Sequence, residues 1–333
     1  MSVDKHIAEL LQQVLVPGVR RSLVQMNLVK DIAIEGNEAK IKLSSTALSP
    51  QAQEWLINKI TTTISSIPEI QDVTVDFIEA KPNEINQIKN IIAVMSGKGG
   101  VGKSLMAGLL ALSLVLEGKE VGILDADITG PSIPKMFGLN EHPGGNKGGI
   151  LPVLSKTGIE IMSMNLLLPN EDDAVIWRGP LMAKAITQFW EEVLWGELDY
   201  LIIDVPPGTG DIPLTLMQTI PLTGVIDVFT PQDLTEMIVM KAIKMADKMS
   251  IRVLGVIENM SFLILPETGR KMEIFGKSKG EEMAKNAGAP LLGQLPIDPE
   301  LAKLCDGGII EQYRSDFLSS LSTNLLSVLN DKV

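Results

Sequence analysis

The segment 97–104 reads Gly-Lys-Gly-Gly-Val-Gly-Lys-Ser and constrains the fold more than any other part of the chain. An apolar stretch, 90–95, precedes it, and a second one, 103–117, follows it. A glycine-rich octapeptide can be a simple turn, but between a strand and a helix it is typical of a loop whose backbone N–H groups surround a phosphate. In such a loop Lys103 reaches the β- and γ-phosphates and the Ser104 hydroxyl binds Mg²⁺. The sequence therefore predicts a nucleoside triphosphate site.

The first 80 residues form a compositional unit of their own. Helical periodicity covers 3–15 and 51–66, and alternation covers 28–34, 39–43 and 73–78, which gives the order α–β–β–α–β. Gly36-Asn37 separates the first two alternating stretches and is a hairpin signal. A polar segment around Pro82 follows and is typical of a linker. We predict a small α+β domain over 1–80, a linker over 81–89 and a second domain over 90–333.

Short apolar strands alternate with helices from residue 90 onward. The predicted strands are 90–95, 120–125, 198–205, 224–229, 252–258 and 290–295. Alternating β and α units form a parallel, doubly wound sheet whose strands are buried on both faces. The glycine-rich segment 140–149 is predicted to be a mobile surface loop. The predicted fold class is α/β, a P-loop NTPase with a doubly wound, mainly parallel sheet that follows a small α+β domain.

Acidic residues fall at the ends of two of the predicted strands. Asp125 and Asp127 close one strand, and Asp204 ends the apolar run of another. Ligands of doubly wound sheets bind at the edge formed by the carboxyl ends of the strands. Asp204 has the form of a Walker B acid that holds the metal, and the glycines of the loop 206–211 suit a segment that responds to the γ-phosphate. Asp125 and Asp127 either face Mg²⁺ and the attacking water or cap the strand end.

Lys98 is a second lysine inside the glycine-rich loop. It is either a solvated surface charge or a charge that reaches a phosphate across a dimer interface. In the second case it stabilises the charge that develops on the transferred phosphoryl group, as an arginine finger does.

Composition argues against several classes of partner. The net charge of −12, with no run of Lys or Arg, speaks against nucleic-acid binding. The most apolar stretch, 105–116, is shorter than the roughly 18 residues that a membrane span needs. Cys305 is the single cysteine, and the first residues hold no apolar signal core, so we expect a cytoplasmic protein without disulfides. Free cysteines are usually buried and inert, and we interpret Cys305 in this way.

Several motifs carry a resemblance to a known family. The segment 96–104 resembles the deviant Walker A motif of the MinD/ParA class. The chain further resembles the Mrp family of iron–sulfur cluster carrier ATPases in the segments 125–128, 130–132, 176–180, 196–200, 204–211, 230–233, 258–261 and 274–276. Residues 1–80 resemble the small domain, of the MIP18 type, that many members carry at the N-terminus.

The resemblance implies an ATP-hydrolysing homodimer that acts in iron–sulfur protein maturation, with apoproteins or assembly factors as partners. It implies that Lys98, Lys103 and Asp127 are catalytic, each Lys98 meeting the partner's nucleotide and Asp127 the attacking water. It implies Ser104 and Asp204 as the Mg²⁺ ligands. The implied nucleotide-binding residues are Gly97, Lys98, Gly99, Gly100, Val101, Gly102, Lys103 and Ser104, with Asn259 and Pro296 near the adenine.

The chain departs from the family at its thiols. After Glu-Asn-Met-Ser the family usually has a Cys-x-x-Cys pair, two from each subunit, that holds a bridging cluster, and here Leu265 and Thr268 stand at those positions. Ser49-Pro50 replaces a Cys-Pro, and Leu105 and Thr129 replace a threonine and a tyrosine. Because clusters are ordinarily held by thiolates, we predict no iron–sulfur ligands at the bridging site. The alternative function is a cluster-free, nucleotide-gated interaction switch of the MinD/ParA type.

Overall fold

A computed structural model describes residues 3–128, 130–168, 179–232 and 235–331 of the chain. Part of the motif 176–180, together with Thr129 and Asp233, lies outside the described residues. The chain divides into two compact units. One comprises Met1–Ile88, His142–Val153 and Gln188–Leu198, and the other Lys89–Glu141, Leu154–Thr187 and Asp199–Val333. The predicted domain limits at residues 80 and 90 stay a prediction.

The first elements follow the predicted α–β–β–α–β order. They are α1 (Val3–Leu11), β1 (Val29–Glu35), β2 (Glu38–Ser44), α2 (Pro50–Ile64) and β3 (Asp72–Ile78). β1 and β2 are antiparallel across the predicted Gly36-Asn37 turn, where Gly36 has a φ of 63°. β2 and β3 are parallel, because α2 crosses between them. Buried side chains of β2, among them Ile41 and Leu43, form the core of this sheet with Leu56 and Ile60 of α2.

Strands and helices alternate as predicted over much of the remaining chain, but consecutive strands occur over 144–163 and 253–272. The remaining elements are α3 (Pro82–Ile85), β4 (Gln87–Met95), α4 (Lys103–Leu116), β5 (Val121–Asp125), α5 (Ile133–Phe137), β6 (Gly144–Asn146), β7 (Gly149–Leu151), β8 (Val153–Leu154), β9 (Glu160–Ser163), α6 (Gly179–Glu192), β10 (Glu197–Asp204), α7 (Asp211–Thr219), β11 (Gly224–Phe229), α8 (Thr235–Lys248), β12 (Val253–Glu258), β13 (Leu263–Ile264), β14 (Lys271–Met272), α9 (Gly280–Ala287), β15 (Leu291–Gln294), α10 (Pro299–Asp306) and α11 (Asp316–Asn330).

The largest sheet among the described residues has eight strands in the order β15-β12-β11-β4-β10-β5-β9-β8. Its parallel neighbours include β4 with β11, β5 with β10, and β12 with both β11 and β15. The six predicted strands all belong to it, and the α/β fold class is confirmed. β4 lies between β11 and β10, so the carboxyl ends of β4, β5 and β10 meet at one edge. Within the described ranges, no helix combines the length and apolar character that crossing a membrane requires.

Two local predictions differ from the structure. The helix predicted over 3–15 ends at Leu11, because Pro17 and Gly18 (φ 91°) turn the chain and Leu15 bridges to Ser22. The segment predicted as a loop over 140–149 contains the antiparallel pair β6–β7, in which Gly145 and Ile150 face each other. Its glycines serve close strand approach there, since a Cβ on Gly145 would lie 2.3 Å from the Gly149 carbonyl oxygen.

Candidate functional site

The glycine-rich loop follows β4 directly and leads into α4. Gly100 and Gly102 have φ values of 80° and 86°, which glycine adopts without strain. Ser96 Oγ donates to the Lys98 carbonyl oxygen at 3.0 Å, and Gly102 is the N-cap of α4. The loop thus ends at a helix N-terminus, where unpaired backbone N–H groups favour an anion.

Four of the side chains predicted for catalysis or metal binding lie together. Lys103 Nζ is 2.5 Å from Asp204 Oδ1, 3.5 Å from Asp127 Oδ2 and 3.3 Å from Ser104 Oγ. Lys103 is 6% exposed and Asp204 is fully buried. The sheet brings the two strand ends together, because Asp204 at the end of β10 pairs in register with Asp125 at the end of β5. Asp127 follows Asp125 by two residues and so reaches the same cluster.

Burial is the largest influence on the pKa values of two carboxyl groups at this edge, Asp204 and Asp125. Burial raises the pKa of Asp204, and the nearby Lys103 ammonium opposes that rise. Burial, followed by the neighbouring Asp204 carboxylate, raises the pKa of Asp125 to about 8. The Asp125 carboxylate accepts hydrogen bonds from Asp127 N and Ile133 N, at 3.2 and 3.4 Å, which are the contacts of a strand-end cap. Asp127, in contrast, faces Lys103.

The donor set around Asp204 fits a magnesium ion. Asp204 Oδ2 is buried and has no hydrogen-bond partner among the described residues. The Ser104 hydroxyl lies in the same cluster, since both it and Asp204 Oδ1 contact Lys103 Nζ. Carboxylate and hydroxyl oxygens are the hard ligands that Mg²⁺ prefers.

Asn259 lies against the glycine-rich loop. Its Nδ2 donates to the Val101 carbonyl oxygen at 2.8 Å, and the side chain is 2% exposed. Pro296 belongs to the neighbouring segment, since Leu295 N, one residue earlier, donates to the Glu258 carbonyl oxygen at 2.9 Å. The structure therefore brings Asn259 to the loop and Pro296 close to Asn259.

Lys98 stands apart from the buried cluster. Its side chain is exposed, as are Gly99 and Gly100 beside it. The structure leaves both interpretations of Lys98 open, because an exposed lysine is suited to solvent and to a partner subunit alike.

A small hairpin, which comprises β13, β14 and their flanking residues over 262–277, carries the positions of the family's cysteine pair. Leu265 N donates to Arg270 O at 2.9 Å, and Thr268 lies in the turn between β13 and β14. The exposed apolar side chains of this hairpin are Ile264, Met272 and Ile274, each close to half exposed (47%, 47% and 48%).

Two further positions concern thiols: Cys305, the single cysteine, and Ser49, which replaces the cysteine of the family's Cys-Pro. Cys305 lies on α10 and is half-buried, whereas we interpreted it from the sequence as a buried, inert cysteine. Burial, with Asp306 adding to it, raises the pKa of Cys305 to about 11, so its thiol is protonated at neutral pH. Ser49, at the Cys-Pro position, is the N-cap of α2 and its Oγ accepts from Ala52 N at 3.2 Å.

Sequence reasoning missed the role of Glu258. Its carboxylate is fully buried at the end of β12 and accepts hydrogen bonds from four donors. The available signal was an acid directly after the apolar run 253–257, but three of its four donors lie 20 or more residues away and leave no local pattern.

Comparisons with known proteins identify the family of the chain. A sequence profile of NUBPL-type iron-transfer P-loop NTPases matches residues 87–330, and one of iron–sulfur cluster assembly proteins matches 4–77. The iron–sulfur cluster carrier protein of Clostridium perfringens is 49% identical over 234 residues, which is 68% of this chain and 82% of that protein. That of Aquifex aeolicus is 40% identical over 320 residues, covering 87% and 86% of the two chains.

Two solved structures resemble this one. A nucleotide-binding protein from Archaeoglobus fulgidus, in complex with ADP and with cobalt, has a TM-score of 0.63 and 46% identity, over 69% of this chain and 90% of that chain. A chain of the MinC:MinD cell division complex of Aquifex aeolicus has a TM-score of 0.52 over 73% of this chain and 97% of its own. At 19% identity, the second similarity shows the fold alone.

Proposed function

The chain belongs to the family of NUBPL-type iron-transfer P-loop NTPases, and we propose that it binds and hydrolyses ATP as a homodimer that acts in iron–sulfur protein maturation. The observation that carries the proposal is the buried contact of Lys103 with Asp204 and Asp127. A cation and two carboxylates at the carboxyl edge of a doubly wound sheet suit phosphoryl transfer. The relatives named iron–sulfur cluster carrier proteins, 40% and 49% identical, support the biological role.

The residues of the cluster have separate tasks in the proposed reaction. The backbone N–H groups of the loop and the N-terminus of α4 bind the phosphates, and Lys103 turns from Asp204 towards the β- and γ-phosphates. Ser104 and Asp204 would hold Mg²⁺, which when bound would neutralise charge on the phosphates. Asp127 accepts a hydrogen bond from the attacking water and orients it for in-line attack.

Lys98 completes the site of the partner subunit in this proposal. Its exposed position suits contact with a second chain, and the buried cluster around Lys103 does not include it. A cation that meets the γ-phosphate from the partner stabilises charge that develops in the transition state. Hydrolysis then depends on the dimer, while the nucleotide binds to each subunit.

Iron–sulfur clusters are the cargo of this pathway, and the residues of this chain do not fit the usual way of holding one. Leu265 and Thr268 supply no thiolate, and the half-buried Cys305 thiol is protonated. We therefore propose that the chain acts by nucleotide-driven conformational change on apoproteins or assembly factors that hold the cluster. The cytoplasmic location and the absence of nucleic-acid and membrane partners stay predictions from the sequence.

A cluster-free interaction switch of the MinD/ParA type is the second candidate. The absence of thiol side chains at positions 265 and 268 favours it. Both candidates share the ATPase cycle, and they differ in whether the chain affects the maturation of an iron–sulfur protein.

An anaerobic maturation assay separates the two candidates. A scaffold protein loaded with a [4Fe–4S] cluster is mixed with an iron–sulfur apoprotein, and recovery of the apoprotein's activity is followed with this chain and ATP. We expect the chain to accelerate recovery with ATP and the Lys103→Ala variant to have no effect, while Lys59→Ala, a change at an exposed lysine of α2, behaves as wild type. Equal recovery with and without the wild-type chain would contradict the maturation role and favour the switch.

A further inference from the structure

The buried carboxylate of Glu258 accepts hydrogen bonds from three separate segments of the chain. It accepts from Ser261 Oγ at 2.8 Å, Ser278 Oγ at 2.7 Å, Lys279 N at 2.7 Å and Gln294 Nε2 at 2.8 Å. Donors to a carboxylate make stronger hydrogen bonds than neutral pairs do, and a buried carboxylate that loses them leaves a costly unpaired group. The four contacts therefore act as a firm clamp at the end of β12.

The clamp fixes both ends of the exposed hairpin. Ser261 precedes β13, whereas Ser278 and Lys279 follow β14 and lead into α9. Residues 266–274, between these two ends, are all exposed. The hairpin is thus anchored at its base by Glu258, with a further hydrogen bond of 2.7 Å from Ile297 N to Phe262 O.

The residue after Glu258 contacts the glycine-rich loop. Asn259 Nδ2 donates to Val101 O, and a Cβ on Gly102 would lie 2.1 Å from that same nitrogen. Asn259 N is also fixed to the sheet, because it donates to Phe229 O at 2.8 Å. Two consecutive residues therefore join the phosphate-binding loop on one side to the base of the hairpin on the other.

We propose that Glu258 is a positioning residue that makes Asn259 and the base of the hairpin one rigid unit. Nucleotide binding at the glycine-rich loop then changes the conformation of the hairpin. The inference rests on the proposed nucleotide site. A bound phosphate reorganises the loop around Val101, and Asn259 must follow its hydrogen-bond acceptor. Because Glu258 holds both the backbone next to Asn259 and the two ends of the hairpin, the displacement passes to 262–277 instead of being absorbed at 260–261.

Hydrogen exchange of the full chain tests this coupling. Peptides that cover 262–276 are followed by mass spectrometry with and without Mg-ADP, and nucleotide affinity is measured on the same samples. In the wild type we expect ADP to change hairpin exchange by about fivefold or more, the lower range of typical coupling between sites. In Glu258→Gln the amide N–H₂ faces either Lys279 N or Gln294 Nε2, two groups that are also donors, so the clamp opens and the ADP-dependent change falls below about twofold.

Glu311→Gln is a matched control. Glu311 is another buried glutamate, and it accepts from Lys156 N at 3.2 Å, from Thr157 N at 2.8 Å and from the Thr157 hydroxyl. These donors lie in the turn before β9, and none of them belongs to the hairpin or the glycine-rich loop. The variant loses a comparable clamp, and we expect the hairpin to keep its full response to ADP.

Ser278→Ala keeps the test decisive if Glu258→Gln does not fold. It removes one donor at the second end of the hairpin, and we expect the response to shrink in peptides over 270–276 more than at 262–264. A full wild-type response in Glu258→Gln, or in Ser278→Ala where Glu258→Gln does not fold, would overturn the proposal. Tight ADP binding without any change in hairpin exchange would overturn it too and leave the proposed function intact, whereas failure to bind ADP would remove both.

Discussion

Lys103 Nζ lies 2.5 Å from Asp204 Oδ1, in a contact that is almost closed to solvent. In the proposed reaction a phosphate draws Lys103 away from this buried carboxylate, and separating such a pair costs free energy. The Asp204 carboxylate then needs another cation, and its unpaired Oδ2 is suited to bind Mg²⁺. In the proposed site, this geometry would couple phosphate binding by Lys103 to metal binding by Asp204.

Asp204→Asn tests this coupling directly. Without the Asp204 carboxylate, Lys103 loses its shortest ion pair and keeps the longer, 3.5 Å contact with the Asp127 carboxylate. We therefore expect tighter ATP binding in EDTA than in the wild type and little further gain on adding Mg²⁺. Hydrolysis should fall by about 100-fold or more, the loss typical of removing one transition-state contact. Titration with a fluorescent ATP analogue, with and without Mg²⁺, measures the effect, and an unchanged Mg²⁺ dependence would contradict it.

Lys98→Ala should lower kcat by about 1,000-fold or more while nucleotide affinity stays within a few-fold, as expected for a cation that acts in the transition state. The exposed Lys59 of α2 provides the control, and Lys59→Ala should hydrolyse ATP at the wild-type rate.

Subunit mixing shows whether Lys98 acts across the dimer. A Lys98→Ala chain mixed with an Asp127→Ala chain should recover part of the activity, because one hybrid site has both residues intact. A mixture that exchanges subunits and stays inactive would show that Lys98 acts within its own subunit.

Gly102→Ala should destabilise the nucleotide-free protein more than Gly100→Ala does. Both glycines have positive φ, but a Cβ on Gly102 meets Asn259 Nδ2 at 2.1 Å, whereas a Cβ on Gly100 meets nothing within 4 Å. Backbone strain costs each variant about 1–2 kcal/mol, and overpacking adds about 1–3 kcal/mol for Gly102→Ala. Urea unfolding measures both, and the added loss should disappear in an Asn259→Ala background. Equal losses for the two variants would show that the Asn259 contact is unimportant.

The alternation of strands and helices, the hairpin turn at Gly36-Asn37 and the phosphate-binding loop could all be predicted, because each depends on local periodicity and turn chemistry. The register of β5 and β10 could not, although it places Asp125 beside Asp204. Strand order and register depend on contacts between distant segments. The pairing of Lys103 with Asp204 is therefore visible only in the folded chain.

Buried polar groups are the second class that the sequence conceals. Glu258 depends on donors at 261, 278, 279 and 294, which no spacing rule connects. The two-residue strands β13 and β14 escaped prediction for a related reason, since such short segments show no periodicity. The helix predicted over 3–15 ends early, at Leu11, because hydrophobic periodicity does not reveal the chain reversal that pairs Leu15 with Ser22.

Asp227 gives a prediction for pH dependence. It is 1% exposed on β11, beside the apolar cluster of Phe229 and Val256, and its two carboxylate oxygens have no hydrogen-bond partner among the described residues. Burial raises its pKa well above the ordinary value. The folded state therefore keeps a proton that the unfolded chain releases near pH 4, and this contribution to stability is lost as the pH rises towards the folded-state pKa.

Asp227→Val should remove this loss of stability at rising pH, because valine does not ionise. We expect the variant to be more stable than the wild type at pH 8 by about 1–3 kcal/mol, the usual cost of burying an uncompensated polar group. The difference should narrow at pH 5. Urea unfolding at both pH values measures it, with Asp227→Asn as a polar control that does not ionise. A wild type more stable than Asp227→Val at pH 8 would show that Asp227 is compensated in the folded protein.

The proposed ATPase is tested most directly by phosphate release from ATP and Mg²⁺ with the purified wild-type chain and its Lys103→Ala variant. We expect steady release by the wild type and a loss of about 100-fold or more in the variant, because Lys103 provides the charge that the buried cluster brings to the phosphates. Circular dichroism confirms that both chains are folded. Equal rates for the two folded proteins, or no release by the wild type in the presence of bound ATP, would contradict the assignment of this cluster as an ATPase site.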